Sequence, residues 1–287
     1  MPALGRDGKA EYAGARLPGA LFFDVDGVKD VTSPLPHMLP PAAAFGAACD
    51  ALGLRRDDAV VLYDGAGLFS AARGWWMLRA MGHAGPVSVL DGGLPAWRAE
   101  GRPTEQGPPA VAAETAAAAC AAAQGTASAS ASASAPRYVP APVPALVLSR
   151  EQVLRDVATA RVLPLLDARP AARFTGAVPE PRAGLRSGHM PGSRSLPFTA
   201  LLQPDGRMLP PAALLAALAA ALRVEPATVA DRAAMPRLAA SCGTGVTACV
   251  LALGAAVAGR DDVAVYDGSW TEWGGRDDTP VHTGDAA

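Results

Sequence analysis

The chain has 287 residues, with 27 acidic and 25 basic side chains giving a formal net charge of −2, and half of its residues are apolar, alanine prominently among them. Charges of both signs are scattered without a basic block, which speaks against a nucleic-acid partner. The apolar stretch 212–222 is bracketed by Pro210, Pro211 and Arg223 and falls well short of the roughly 18 to 20 residues of a membrane span, so no membrane association is expected.

Taken in chain order, the amino terminus MPALGRDGKAEY lacks the basic-then-apolar pattern of a secretory signal, and a cytoplasmic protein is expected. ARLPGALFF (15–23) reads as a Pro-Gly loop feeding an apolar strand. Short apolar runs at 59–63 and 87–90 read as strands around a helix at 70–81, whose Trp75, Trp76, Met77 and Met81 are expected in a core. The stretch 115–136, TAAAACAAAQGTASASASASAP, together with the Pro-punctuated residues up to Pro144, carries too little large apolar surface for a core and reads as a flexible linker that allows a short helix over the alanines. Beyond it come a strand in VLPLLDAR (162–169), a Pro-Gly loop in GHMPGSRSLPF (188–198), a strand in LAASCGTG (238–245) running into an apolar helix, and VAVYDGSWTEW (263–273).

These segments repeat. The loop at 15–23 matches 188–198 at an offset of 173, VVLYDGAG (60–67) matches LAASCGTG at 178, and VSVLDGGLPAW (87–97) matches VAVYDGSWTEW at 176. Three matches in one order mean a duplicated domain. Strands alternating with helices imply an α/β fold with parallel sheets flanked by helices, in a first copy at 1–106, a linker at 107–145 and a second copy at 146–287. The strand holding Asp167 has no counterpart in the first copy, which is expected to lack its opening strand and helix, about 25 residues by repeat arithmetic.

The copies differ in one telling place, where Asp64 of the first stands opposite Cys242 of the second. Only the second copy therefore reads as catalytic. Gly243 and Gly245 let backbone N–H groups turn towards the sulfur, and the following helix adds its positive end, so the loop favours thiolate over thiol and can also stabilise an attached persulfide. The four cysteines at 49, 120, 242 and 249 have neither C-x-x-C spacing nor histidines at metal-ligand spacing, so neither a metal site nor a disulfide framework is expected. Cys249 is expected to be buried as a small apolar residue, and His189 to serve a turn.

SPLPHMLP (33–40), GWWMLRAMGH (74–83), LDGGLPAW (90–97), FTGAVPEPRAG (174–184), GHMPGS (188–193), CGTGVTA (242–248) and YDGSWTEWG (266–274), in this order, resemble the rhodanese superfamily and within it the two-domain 3-mercaptopyruvate sulfurtransferases. The resemblance implies tandem rhodanese-like domains and sulfur transfer through a Cys242 persulfide to a thioredoxin-like protein, a small thiol or cyanide, with no cofactor. It implies that Arg173 and Arg182 bind the donor's carboxylate, with Arg186 as a possible substitute. Gly243, Gly245, Val246 and Thr247 would line the donor, and Asp26 and His37 would form a relay with the hydroxyl of Thr244, where the family more often has serine. Trp270 and Trp273 are expected at the rim of the substrate pocket.

Related thiosulfate sulfurtransferases carry basic residues directly after the cysteine, whereas Gly243 and Thr244 bring no charge, which favours 3-mercaptopyruvate as donor over the alternative, thiosulfate. A cysteine phosphatase would need arginine at the place of Ala248. A non-enzymatic interaction module is the remaining alternative, supported by the missing opening strand and opposed by Cys242, Arg173, Arg182, His37 and Asp26.

Overall fold

The computed structural model describes residues 5–125, 137–159 and 164–285, so the linker residues 126–136 and the first residues of the strand read at 162–169 lie outside the described residues. The chain divides into two compact units, Met1–Val143 with Asp205–Arg207, and Pro144–Pro204 with Met208–Ala287. Among the described residues no helix is long and apolar enough to cross a membrane.

The first unit runs α1 (Gly8–Gly14), α2 (Ala42–Ala51), β1 (Val60–Leu62), α3 (Ala71–Ala80), β2 (Val87–Val89), α4 (Gly93–Ala99) and α5 (Thr115–Ala122). Parallel strands need a crossover, and α3 supplies it: β1 and β2 pair parallel, Val60 opposite Val87 and Leu62 opposite Val89. Trp75, Trp76, Met77 and Met81 are buried, as expected of large apolar residues on this helix. The apolar segment at 20–23 forms no strand. The described residues of this unit contain no neighbouring strand for it, and an extended segment without a ladder partner is not a strand.

The short helix allowed over the alanines is present, and it is packed rather than free. Thr115–Ala122 is α5, packed on α2 with Ala116 and Cys120 buried. Alanine has the best helix propensity, and small side chains let backbones come close: a β-carbon on Gly27 would lie 2.5 Å from that of Ala117.

The second unit runs β3 (Val147–Leu148), α6 (Arg150–Ala158), β4 (Leu165–Asp167), α7 (Ala171–Phe174), β5 (Arg194–Ser195), α8 (Pro211–Leu222), α9 (Pro226–Ala230), β6 (Ala239–Ser241), α10 (Ala248–Val257), β7 (Ala264–Tyr266) and α11 (Ser269–Trp273). Local chemistry fixes several ends. Ser149 and Gln152 form a reciprocal capping box on α6, and Pro211 opens α8, where a missing N–H costs nothing.

The strands pair parallel in the order β3-β7-β6-β4-β5. β4, β6 and β7 are buried along their whole length, which explains why they read as unbroken apolar or small runs. In open parallel sheets the space beyond the carboxyl ends of the strands is where ligands bind. Cys242 immediately follows the carboxyl end of β6, the middle strand.

Candidate active site

Ser241, the last residue of β6, is followed by the bend from Cys242 to Thr247 that opens α10. Gly245 sits at φ 78°, a left-handed conformation that costs a residue with a β-carbon about 1 kcal/mol or more. From the other side the loop is held by the β7–α11 turn. The Cys242 amide donates to Ser269 Oγ at 3.1 Å, and that hydroxyl donates to the Tyr266 carbonyl at 2.8 Å. The Trp270 amide donates to the Cys242 carbonyl at 2.9 Å, and the Thr271 amide and hydroxyl reach the Gly243 carbonyl at 2.9 and 2.7 Å. Ser269 itself has φ 50°, so the turn keeps this clasp at a conformational cost.

Cys242 is 1% exposed, deeper than a freely accessible nucleophile. The amides of Gly243, Thr244, Val246 and Thr247 meet no acceptor among the described residues, leaving donors at the amino end of α10 for an anion. What such a loop does with an anion is visible in the first unit. There the Asp64 carboxylate accepts the amides of Ala66, Phe69, Ser70 and Ala71 at 2.9, 2.8, 2.9 and 3.1 Å, at the start of α3. At the repeat offset, three of these four amides correspond to those of Thr244, Thr247 and Ala248.

Arg173, at the end of α7, lies against the loop: a β-carbon on Gly243 would be 3.3 Å from its Nη2. Its Nε donates to Glu180 Oε1 at 3.1 Å and its Nη2 to Oε2. Glu180, 1% exposed, also accepts from Arg169 Nη1 at 2.8 Å. Arg169 is gripped by Asp167 through Nε and Nη2, donates to the Gly188 carbonyl at 2.8 Å, and stacks 4.2 Å over the Trp270 ring. Burial works against the Arg169 cation, yet Asp167 and Glu180 outweigh it and raise its pKa above the usual arginine value. This Asp167–Arg169–Glu180–Arg173 ladder was not anticipated from the sequence. The one signal available was an arginine two residues after an acid at the end of an apolar strand, a place where a charge must be paired if it is buried.

Arg182 is half-buried and makes no hydrogen bond or ion pair among the described residues. Arg186 has no capacity to spare. Its guanidinium donates to the carbonyls of Gly274, Trp273, Arg276 and Thr279 and to the Thr279 hydroxyl, which makes it a brace for the carboxyl-terminal loop and removes it as a substitute ligand. Trp270 and Trp273 are also corrected. Both are fully buried, with indole N–H groups on the carbonyls of Arg186 and Pro280. Burying an indole removes about 200 Å² from water, worth about 5 kcal/mol at about 25 cal/mol per Å², which favours the core over a pocket rim.

In the first unit Asp26 and His37 come together, Nε2 donating to Oδ1 at 2.8 Å. That hydrogen bond pulls the Asp26 carboxyl down to about 2. His37 is 8% exposed, and its other nitrogen, Nδ1, is buried and meets no partner among the described residues. Cys249 donates its thiol proton to the Gly245 carbonyl, and His189 is buried, stacked on Phe174 and bonded to its carbonyl; both shape the fold.

A rhodanese-like domain model matches residues 6–100 and again 149–276. The chain is 43% identical over 284 residues to the mitochondrial thiosulfate/3-mercaptopyruvate sulfurtransferase 1 of Arabidopsis thaliana, covering 99% of this chain and 72% of that protein. It is 40% identical over 276 residues to the 3-mercaptopyruvate sulfurtransferase of Rattus norvegicus, covering 95% and 82%. Among solved structures, SseA from Escherichia coli, a 3-mercaptopyruvate sulfotransferase, superposes with a TM-score of 0.71 at 34% identity, covering 93% of this chain and 87% of SseA.

Proposed function

Because the chain belongs to the rhodanese-like domain family, we propose that it is a 3-mercaptopyruvate sulfurtransferase working through Cys242. The names of the rat and Escherichia coli relatives support the donor. The observation that carries the chemistry is the pairing of Cys242 with unclaimed amides in a loop whose twin in the first unit already cradles a carboxylate.

The Cys242 thiolate attacks the sulfur of 3-mercaptopyruvate. The sulfur–carbon bond breaks, its electron pair leaves on carbon as the pyruvate enolate, and a proton completes pyruvate while a Cys242 persulfide remains. A thiol of a thioredoxin-like protein or small molecule, or cyanide, then takes the outer sulfur. The amides of Gly243, Thr244, Val246 and Thr247 stabilise the sulfur anions, and Arg182 with the free edge of Arg173 binds the donor carboxylate through charge-assisted hydrogen bonds. Within the first unit the His37–Asp26 bond and the unclaimed Nδ1 suit a proton carrier, and within the second the Thr244 hydroxyl suits the same task. A cytoplasmic, reducing location suits four free cysteines, whereas the name of the Arabidopsis relative places that protein in mitochondria. Cell fractionation distinguishes the two.

Pyruvate release from 3-mercaptopyruvate in the presence of a thiol is the test. Cys242→Ser should lose at least about a thousandfold in kcat/KM; a variant as active as the parent overturns the proposal. The Arabidopsis relative's name also includes thiosulfate, so both donors belong in the assay, and kcat/KM should favour 3-mercaptopyruvate.

A further inference from the structure

The carboxylate-binding loop contains an acid that its own chemistry does not require. Glu180 is buried, and three guanidinium nitrogens donate to it: Nη1 of Arg169 and Nε and Nη2 of Arg173. Along the ladder Asp167, Arg169, Glu180 and Arg173, two negative and two positive charges cancel. The side of Arg173 facing Gly243 is therefore a hydrogen-bond fork whose charge is already balanced. Arg182 makes no ion pair among the described residues, and because Arg186, also without one, has its donors on the carbonyls of the carboxyl-terminal loop, Arg182 is the cation of the segment left for an anion.

We propose that Glu180 is a specificity-determining residue: by neutralising Arg173 it limits the donor site to about one net positive charge, and so selects a monoanionic keto acid over the thiosulfate dianion. The proposal rests on the sulfur-transfer reading and assigns Glu180 a role that Gly243 and Thr244 cannot perform, since they bring no charge. Glu180 does not touch the reacting sulfur. It acts through Arg173, setting both the orientation of the guanidinium and the net charge that an incoming anion meets, and in a partly desolvated site one unit of charge weighs heavily on a dianion.

The experiment separates binding from turnover. In the full chain carrying Cys242→Ser, where no sulfur moves, calorimetry gives dissociation constants for pyruvate, a monoanion, and thiosulfate, a dianion. Adding Glu180→Gln should shift the ratio of the two about tenfold towards thiosulfate, and Glu180→Asp, which keeps the charge, should restore most of the original ratio. Arg173→Met, at a half-buried position, removes a positive charge while keeping Glu180, and should shift the ratio the opposite way. It decides the matter alone if Glu180→Gln does not fold. A ratio unmoved in these variants, both anions weakening in parallel, or binding of neither anion overturns the proposal. Failure of the wild-type chain to release pyruvate from 3-mercaptopyruvate is a separate result and counts against the sulfur-transfer reading instead.

Discussion

The Ser269 hydroxyl accepts a hydrogen bond from the Cys242 amide at 3.1 Å and donates one to the Tyr266 carbonyl at 2.8 Å. Through this one side chain the β7–α11 turn fixes where the backbone leaves β6, and hence where the sulfur sits. Ser269→Ala leaves a buried N–H without an acceptor, at a cost of about 1–3 kcal/mol. A melting temperature lower by roughly 3–8 °C is expected, together with slower pyruvate release. A variant with the parent's stability and rate would show that the clasp does not set the loop.

Gly243 tests the neighbourhood of Arg173. A methyl group there would meet Nη2 at 3.3 Å, close enough to push the tip of a flexible side chain aside without disturbing the backbone. Gly243→Ala should therefore keep its melting temperature while kcat/KM for 3-mercaptopyruvate falls severalfold, mainly through KM. Loss carried by kcat with KM unchanged would place the methyl against the sulfur instead.

Acid should weaken the first unit through Asp26. Its carboxyl, held at about 2 by the hydrogen bond from His37, lies below its value of about 3.9 in an unfolded chain. A depressed acid stabilises the fold above the unfolded value and loses that contribution as pH falls from about 4 towards 2. The contribution is on the order of 2 kcal/mol. Urea unfolding of the wild type and Asp26→Asn at pH 7 and pH 3 should give a stability gap that narrows at the lower pH; a gap that stays constant contradicts the assignment.

Arg169 is 1% exposed between two buried carboxylates. Arg169→Met leaves Asp167 and Glu180 without this partner, and breaking a buried pair costs about 3–5 kcal/mol. A fall in melting temperature of roughly 10 °C is expected by calorimetry. Arg169→Lys should recover only part of it, because an ammonium cannot reproduce the two-pronged grip on Asp167 and the stacking on Trp270.

Some of this was open to reading in the amino-acid sequence and some was not. The duplication, the parallel strands and the cysteine bend were legible because buried parallel strands appear as short apolar runs and because Gly243 and Gly245 punctuate the one before α10. The ladder was hidden because residues 167, 169, 173 and 180 lie on a strand, a bend, a short helix and a loop and share no single period; what unites them is a tertiary fold that buries Arg169 beneath Trp270. For α5 the helix was legible and its packing was not: an alanine-rich stretch has little contrast between an apolar and a polar face, and only the close approach of α2 reveals that it is packed. Trp270 and Trp273 were misplaced because an aromatic beside a reactive loop reads the same in sequence whether it faces substrate or interior.

The Asp64 carboxylate in the first unit has a consequence for how such a duplicated chain can change. A ring of inward amides is a standing demand for negative charge, and a copy without the cysteine must still answer it. Aspartate does so from within the chain, and the loop keeps its geometry without a sulfur. Replacing that acid with alanine would create a vacancy for small anions such as chloride, and replacing it with cysteine would ask whether the same amides can hold a thiolate.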